Sequence, residues 1–203
     1  MMADVPDAHV AKGELRSRLR AVRRARPAED RQQVAARLAA LVLELPELAG
    51  CGTVAAYVSG PAEPATGPLL DALLVRGVQV LLPVLLPDLD LDWAAYAGAA
   101  GLMPNSLDGR AGLLEPAGPR LGVDAIGSAG LVLVPALAVG LGGLRLGQGG
   151  GSYDRALARV GPAVPVAALL YEGELLNEVP AEPHDRPVTL AVLPSGIVRF
   201  AGP

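Results

Sequence analysis

The sequence predicts a layered α/β fold, in which helices flank a mostly parallel central sheet, built as a single domain over residues 1–203. The length of 203 residues suits one domain. Short apolar, strand-like runs alternate along the chain with segments of helical periodicity, which is typical of α/β layers. Residues 131–134 are continuously apolar (Leu-Val-Leu-Val), as expected for a strand buried on both faces of a parallel sheet.

Two helices are predicted at the start of the chain. Residues 10–26 carry apolar side chains at helical spacing among many arginines. This apolar face consists of Leu15, Leu19 and Val22. Pro27 suits the start of a second helix over residues 28–45, and Pro46 ends it.

Strands and helices then alternate. A strand at residues 53–58 is followed by a Gly- and Pro-containing loop, and Thr66 is a suitable N-cap for a helix that runs to about Arg76. Two further strands are predicted at residues 78–82 and 89–93.

The second half of the chain begins with residues 98–122, which are mostly loop. After the strand at 131–134, a glycine-rich loop leads into a helix at 153–160. The remaining predicted strands are residues 164–170, 188–193 and 197–200.

Composition excludes several classes of protein. Hydrophobic residues make up 51% and charged residues 19%, so the chain is not a disordered one. A formal net charge of −4 supplies no basic field for nucleic acid, so no nucleic-acid partner is expected. The lone Cys51 forms no internal disulfide, and one cysteine with two histidines is too few for a zinc cluster.

The uncharged run at residues 125–144 is long enough to raise the possibility of a membrane span. Pro135 interrupts this run and three glycines lie near its end, which favours a buried strand followed by a loop. The first seven residues lack the basic and apolar regions of a secretory signal. The sequence therefore predicts a cytoplasmic protein without a membrane partner; protein partners are left open.

The segment Arg145–Arg155, which reads Arg-Leu-Gly-Gln-Gly-Gly-Gly-Ser-Tyr-Asp-Arg, is the most informative stretch. Its glycines allow backbone N–H groups to point at one anion, and the helix that follows directs its positive end to the same place. Arg145 would add a permanent cation, and Asp154 could hold the magnesium that accompanies a nucleotide. The pattern therefore predicts a phosphate site.

Three alternatives apply to this loop. A flexible linker would be longer and flanked by polar residues, whereas this loop joins a buried strand to a helix. A Walker loop needs a lysine that is missing here. A dinucleotide fingerprint is approximated by Gly147, Gly149 and Ser152 with Glu172 downstream, but residues 140–146 separate it from its strand.

Lys12 is the only lysine among seventeen lysine and arginine residues. It lies four residues before Arg16, so both side chains project from one helical face and could reach phosphates. An ordinary solvated basic helix is the simpler interpretation of these two residues taken alone.

Together these motifs resemble the 5-formyltetrahydrofolate cyclo-ligase family, also called 5,10-methenyltetrahydrofolate synthetases, over nearly the whole chain. The matching motifs are Lys12-x-x-x-Arg16, Tyr57-x-Ser59-x-x-x-Glu63, Gly112-Leu113-Leu114-Glu115-Pro116, Leu133-Val134-Pro135-x-Leu137, the Arg145–Arg155 segment and Val179-Pro180-x-Glu182-x-His184-Asp185.

The resemblance implies an ATP- and Mg²⁺-dependent ligase of one-carbon metabolism. ATP would phosphorylate the formyl oxygen of 5-formyltetrahydrofolate, and the folate nitrogen at position 10 would attack the activated carbon. Loss of phosphate would then give 5,10-methenyltetrahydrofolate. Such catalysis is mostly positioning and charge neutralisation.

The resemblance also implies residue roles. The nucleotide would be held by Lys12, Arg16, Arg145, Leu146, Gly147, Gln148, Gly149, Gly150, Gly151, Ser152 and Tyr153. The folate would be held by Glu63, Gln148, Gly149, Gly150, Gly151 and Ser152. Magnesium would be held by Asp154 and Asp185. Because adjacent residues of an extended chain point to opposite sides, we expect His184 to be structural.

The chain departs from the family pattern at three positions. Val139-Gly140 stands where Phe-Asp is common, Ser152 replaces the first of two tyrosines, and Ala65 replaces an acidic residue. These departures raise two other hypotheses, a folate- or nucleotide-binding relative without turnover and an ATP-dependent ligase with a changed substrate. A nicotinamide oxidoreductase is a more distant alternative.

Overall fold

The computed structural model describes residues 8–105, 113–182 and 185–200. Its α-helices are α1 (Ala8–Ala25), α2 (Ala28–Leu43), α3 (Gly67–Val75) and α4 (Ser152–Leu157). Its strands are β1 (Thr53–Ala55), β2 (Gln79–Leu85), β3 (Leu91–Ala95), β4 (Leu102–Pro104), β5 (Leu114–Pro116), β6 (Leu131–Pro135), β7 (Ala138–Gly140), β8 (Arg145–Leu146), β9 (Val166–Leu169), β10 (Leu175–Leu176), β11 (Leu190–Leu193) and β12 (Gly196–Arg199). Short 3₁₀ turns occupy Pro46–Leu48, Ala99–Gly101 and Val123–Ser128.

The central sheet has seven strands in the order β12-β11-β9-β6-β1-β2-β3. The five inner strands are parallel, whereas β3 and β12 pair antiparallel at the two edges. The predicted fold class, a mostly parallel sheet with helices, is confirmed. The chain runs from β1 outward to β2 and then returns to place β6 on the other side of β1. In open α/β sheets, this point of reversal is where the ligand crevice forms, beyond the carboxyl ends of the strands.

Both faces of the sheet are buried, as the uninterrupted apolar strand at residues 131–134 predicted. Leu131 and Leu133 of β6 pack into the core beneath α2 and α3. Val132 and Val134 point into a second core, which includes Trp93. Alternate residues of one strand therefore serve two separate cores.

The predicted elements exist, but several of their bounds differ. The first strand ends at Ala55 instead of residue 58, and α4 ends at Leu157 instead of residue 160. The predicted loop at 98–122 contains the β4–β5 hairpin, and residues 106–112 of it lie outside the described part. The run at 125–144 forms short strands and turns, and no helix in the described ranges is long and apolar enough to cross a membrane.

The predicted apolar face of α1 is partly wrong. Leu19 is 7% exposed, but Val22 is 56% exposed, and the neighbouring Arg23 is buried at 2%. Arg23 occupies the inner face because its guanidinium forms an ion pair with Glu174, at 2.7 Å from Nε to Oε1. Thr66 does precede α3, but it makes no capping hydrogen bond: its hydroxyl donates to the carbonyl oxygen of Tyr57 at 2.7 Å.

Candidate active site

A cavity of about 470 Å³ opens at the point where the strand order reverses. Tyr57 and Val58, which follow β1, and Pro135, the last residue of β6, line its floor. This is the position expected for a ligand crevice in an open α/β sheet. The cavity is therefore a product of the strand order and not of a local motif.

The glycine loop 147–151 connects β8 to α4 along one wall of this cavity. Gly149 and Gly151 have φ values of +102° and +67°, which favour glycine because other residues are strained there. Gly150 has no such φ, and a Cβ built on it would meet only the Ser152 hydroxyl, at 3.5 Å. The protein itself thus leaves room for a side chain at Gly150.

Helix α1 holds the glycine loop from outside. Arg16 donates from Nε to the carbonyl oxygen of Gly147 at 3.0 Å, and Arg20 donates to both the backbone and side-chain oxygens of Gln148. The sequence analysis did not predict a role for Arg20. A signal was present, because Lys12, Arg16 and Arg20 follow one another at intervals of four residues and so lie on one face of a helix.

Two clusters of ion-paired side chains lie inside the cavity. Arg145 is 6% exposed and donates from Nη2 to Oδ1 of Asp154 at 2.8 Å, and the same oxygen accepts a hydrogen bond from the backbone N–H of Arg186 at 3.1 Å. Gly147 is tightly placed beside this pair, since a Cβ there would lie 2.9 Å from Nη1 of Arg145. The loop arginine is therefore held in one position by α4.

The second cluster contains Lys12, the only lysine in the sequence. Lys12 is 2% exposed, and its Nζ lies 2.6 Å from both Oε2 of Glu182 and Oδ2 of Asp185. Burial alone lowers the pKa of Lys12, but the hydrogen bonds to Asp185 and Glu182 outweigh it, so the net shift raises the pKa and the ammonium stays charged. The interpretation of this helix face as an ordinary solvated one is wrong.

Glu63 faces the glycine loop across the cavity. Its Oε2 accepts from the backbone N–H of Gly60 at 2.9 Å, and its Oε1 accepts from Nε2 of Gln148 at 3.3 Å. Tyr57 and Tyr153 also line the cavity, and their phenol oxygens are buried. Burial raises the pKa of both phenols, as does the nearby charge of Glu63, so they are neutral.

A further part of the lining is apolar and comes from the β2–β3 hairpin, the segment after β1 and the start of β5. Its side chains are Val58, Pro83, Leu85, Leu91, Leu113 and Leu114. Arg155 ties this hairpin to the glycine loop, because its Nη2 donates to the carbonyl oxygens of Leu89 at 2.6 Å and of Gly150 at 3.3 Å. The cavity thus pairs a polar, charged wall with an apolar one.

Every residue given a binding role from the sequence lines this one cavity. These are Lys12, Arg16, Glu63, Arg145, Leu146, Gly147, Gln148, Gly149, Gly150, Gly151, Ser152, Tyr153, Asp154 and Asp185. Which ligand each of them binds stays a prediction. His184, expected to be structural, and Gly112 of the mid-chain motif lie outside the described residues.

A family model for the 5-formyltetrahydrofolate cyclo-ligase family matches residues 8–194. The chain belongs to this family. The resemblance inferred from the motifs is therefore confirmed, and the match covers both the glycine loop and the segment that contains Asp185.

Two curated members of the cyclo-ligase family are similar over most of their length. The 5-formyltetrahydrofolate cyclo-ligase of Mycolicibacterium smegmatis is 44% identical over 155 residues, which are 73% of this chain and 77% of that protein. The enzyme of the same name from Escherichia coli strain K12 is 30% identical over 183 residues, 88% of this chain and 98% of that protein.

Solved structures agree on the fold. The NMR structure of Aquifex aeolicus 5,10-methenyltetrahydrofolate synthetase superposes with a TM-score of 0.78 and is 26% identical, covering 93% of this chain and 92% of that one. The synthetase from Mycoplasma pneumoniae has a TM-score of 0.69 at 18% identity, covering 89% of this chain and 96% of that one, and it supports the fold alone.

Of the three departures from the cyclo-ligase pattern, Ser152 is in the described lining of the cavity, whereas Gly140 and Ala65 are not. Gly140 is buried in β7, where a Cβ would lie 3.1 Å from the backbone nitrogen of Val179. Glycine therefore fits the close packing of β7 against the backbone at Val179, and this departure does not alter the described lining of the cavity.

Proposed function

We propose that this chain is a 5-formyltetrahydrofolate cyclo-ligase that uses ATP and Mg²⁺ and releases ADP and phosphate. The observation that carries the proposal is the single cavity at the sheet reversal, in which the glycine loop with its buried cations faces Glu63 and an apolar wall. A phosphate-binding region and a region suited to a flat heterocycle are thus within one site, as transfer between two substrates requires.

On the phosphate side, Lys12, Arg16 and Arg145 supply permanent positive charge, and the loop at 147–151 supplies backbone N–H groups. Arg16 and Arg20 bind the loop's carbonyl oxygens at residues 147 and 148. These contacts support the assignment of the loop to phosphate. The carbonyl oxygens of residues 147 and 148 accept hydrogen bonds from α1, so they are not left to repel an anion in the cavity.

The donor set of the cavity fits magnesium. Mg²⁺ takes oxygen ligands and is usually held by one or two carboxylates together with substrate phosphates. Asp154 and Asp185 both line the cavity, while no group of three His, Cys, Asp or Glu residues suited to a metal occurs among the described residues. When bound, the metal would neutralise charge on the phosphates.

Each proposed metal ligand is paired with a proposed phosphate-binding cation, Asp154 with Arg145 and Asp185 with Lys12. These pairs keep both cations in place. A magnesium nucleotide carries the complementary pattern of positive metal and negative phosphate, so we assign its binding to these two pairs.

On the folate side, the Glu63 carboxylate is a hydrogen-bond acceptor suited to the N–H groups of a pterin ring, and the leucines of the hairpin suit its faces. The residues at 148–152 lie between the two ligands and would contact both. Orientation of the formyl oxygen toward the terminal phosphate is then the main task of the protein.

The reaction proceeds in two steps. The formyl oxygen attacks the terminal phosphorus of ATP and ADP leaves, which turns a poor leaving group into a good one. The nitrogen at position 10 then attacks the formyl carbon, which closes the ring, and this nitrogen loses its proton. Phosphate departs from the same carbon and leaves the methenyl product. Lys12 and Arg145 stabilise the charge on the transferred group.

The deciding experiment mixes the purified protein with Mg-ATP and 5-formyltetrahydrofolate and follows the near-ultraviolet absorbance of the methenyl product. A rise that requires both ATP and magnesium is expected. If a correctly folded sample gives no rise, the chain is a binding relative or acts on another substrate; ADP release with other formylated or amide compounds separates these two outcomes.

Lys12→Ala is expected to raise the KM for ATP by about 10- to 100-fold, the range for losing a charge-assisted hydrogen bond to phosphate. The measurement is initial rate against ATP concentration at saturating folate. Arg18→Ala, on the exposed side of α1, is the matched control and should leave this KM unchanged. Equal ATP requirements in wild type and Lys12→Ala would remove Lys12 from the nucleotide site.

Gly150→Val is expected to keep the stability of the protein and raise the KM for ATP at least about tenfold, because only a ligand close to the backbone would meet the new side chain. Gly142→Val is the control, since a Cβ there meets nothing within 4 Å. Thermal unfolding and ATP titrations of both variants are compared. If Gly150→Val binds ATP as tightly as the wild type, the glycine loop only connects β8 to α4 and does not bind phosphate.

A further inference from the structure

A buried ion pair lies behind the cavity. Arg23 of α1 donates from Nε and Nη2 to the two carboxylate oxygens of Glu174, each at 2.7 Å, and the side chains are 2% and 6% exposed. Nη2 of Arg23 also donates to the carbonyl oxygen of Ala136 at 2.6 Å. The pair therefore joins α1, the turn after β9 and the end of β6.

This pair fixes Tyr171, a fully buried residue just beyond the end of β9. The Tyr171 backbone N–H donates to Oε2 of Glu174 at 2.8 Å. Its ring stacks beneath two guanidinium groups, with the Cζ atoms of Arg26 and Arg23 at 4.2 and 5.5 Å from the ring centroid. Neither the backbone nor the ring of Tyr171 can shift without disturbing these contacts.

The hydroxyl of Tyr171 extends from this rigid base to the loop that carries Glu63. It donates to the carbonyl oxygen of Glu63 at 3.0 Å, across 108 residues of sequence. The same loop is closed on itself by the Glu63 N–H, which donates to the carbonyl oxygen of Gly60 at 3.1 Å. Tyr171, Arg23 and Glu174 are not among the described residues that line the cavity, so they would act through Glu63.

We infer that Tyr171, clamped by the Arg23–Glu174 pair, is a positioning residue that holds the Glu63 loop in its binding conformation and sets the affinity for the folate but not for the nucleotide. The inference rests on the proposed function, because it uses Glu63 as a folate contact. The two loops have separate supports: Arg16 and Arg20 hold the glycine loop, and Tyr171 holds the loop that carries Glu63.

The test is Tyr171→Phe, which removes the hydroxyl and keeps the ring. We expect the KM for 5-formyltetrahydrofolate to rise about five- to tenfold, with the KM for ATP unchanged, since a loop that loses its anchor must be ordered by the ligand. Without any ligand, the backbone amide of Glu63 should exchange its hydrogen faster in Tyr171→Phe than in the wild type.

Tyr96→Phe is the matched control. Its hydroxyl donates to Oδ1 of Asp71 at 2.6 Å, it is 5% exposed, and it is not in the described cavity lining. This variant also loses the hydrogen bond of a part-buried tyrosine hydroxyl, here to a carboxylate, and should change neither the folate KM nor the exchange at Glu63. A merely structural role for Tyr171 would make the two variants alike.

Three outcomes overturn the inference. The first is a Tyr171→Phe protein in which the amide of Glu63 exchanges at the wild-type rate; this result rejects the positioning role even if the wild type turns over no folate. The second is an active Tyr171→Phe protein in which the KM values for ATP and folate rise together. The third is normal folate kinetics in Tyr171→Phe beside impaired kinetics in Glu63→Gln, which rejects the inference and leaves the proposed function intact.

Discussion

Asp154→Asn is expected to lower the rate of methenyl product formation at a given magnesium concentration by about 100- to 1000-fold, the range for losing one preorganised electrostatic group of a site. Asp154 lines the cavity, and its Oδ1 binds both Arg145 and the backbone N–H of Arg186. An asparagine oxygen can accept both hydrogen bonds but contributes no charge to a metal ion. The folded structure should therefore survive while the magnesium dependence changes.

The measurement is initial rate against magnesium concentration at saturating ATP and folate, with thermal unfolding of the same sample. Asp124→Asn is the control, because Asp124 is 89% exposed and pairs only distantly with Arg159, at 3.3 Å. It should behave as wild type in both assays. If the rate of Asp154→Asn equals that of wild type at every magnesium concentration, Asp154 is not a metal ligand.

Glu174→Gln is expected to destabilise the protein by about 3–5 kcal/mol, the cost of leaving one member of a buried ion pair without its counter-charge. Arg23 is 2% exposed, and Glu174 accepts from both its Nε and its Nη2. For a chain of this length, such a loss corresponds to a fall in Tm on the order of 6–20 °C. Equilibrium unfolding in urea measures the free energy of unfolding directly.

Glu47→Gln is the matched control for Glu174→Gln. Glu47 pairs with Arg199, whose side chain is 54% exposed, and a solvent-exposed pair contributes at most about 1 kcal/mol. The double variant Arg23→Met, Glu174→Leu removes both charges and should be more stable than Glu174→Gln alone. A double variant that is less stable than the single one would contradict the assignment of the cost to an unpaired buried arginine.

Local pattern was sufficient for the sheet and for the loop. The uninterrupted apolar strand at β6 predicted burial on both faces, because an alternating strand would have exposed one of them. The glycine loop could be located because positive φ angles, as at Gly149 and Gly151, strongly favour glycine. Residue bounds were less exact: β1 ends at Ala55 instead of residue 58, since the ends of helices and strands are their least sharply defined part.

The environment of charged side chains could not be read in this way. Helical periodicity assigns Val22 to the apolar face of α1, but the helix turns Arg23 inward because Glu174, 151 residues away, pairs with it. The helical pattern around Lys12 is that of a solvated residue, but in the folded protein Lys12 is paired with Asp185 and Glu182, which are 173 and 170 residues away in sequence. A pattern within one helix contains no information about either partner.

The sequence by itself therefore determined the α/β class, the family and the polar part of the cavity lining around the glycine loop, because the class depends on local pattern and the other two on motifs of fixed spacing. The tertiary structure alone decided that Lys12 is buried between two carboxylates, that Arg145 is held by Asp154, and that Tyr171 supports the Glu63 loop. The physical reason is that burial and ion pairing depend on which distant segments pack together, and that is decided by the order of strands around the β1–β6 reversal.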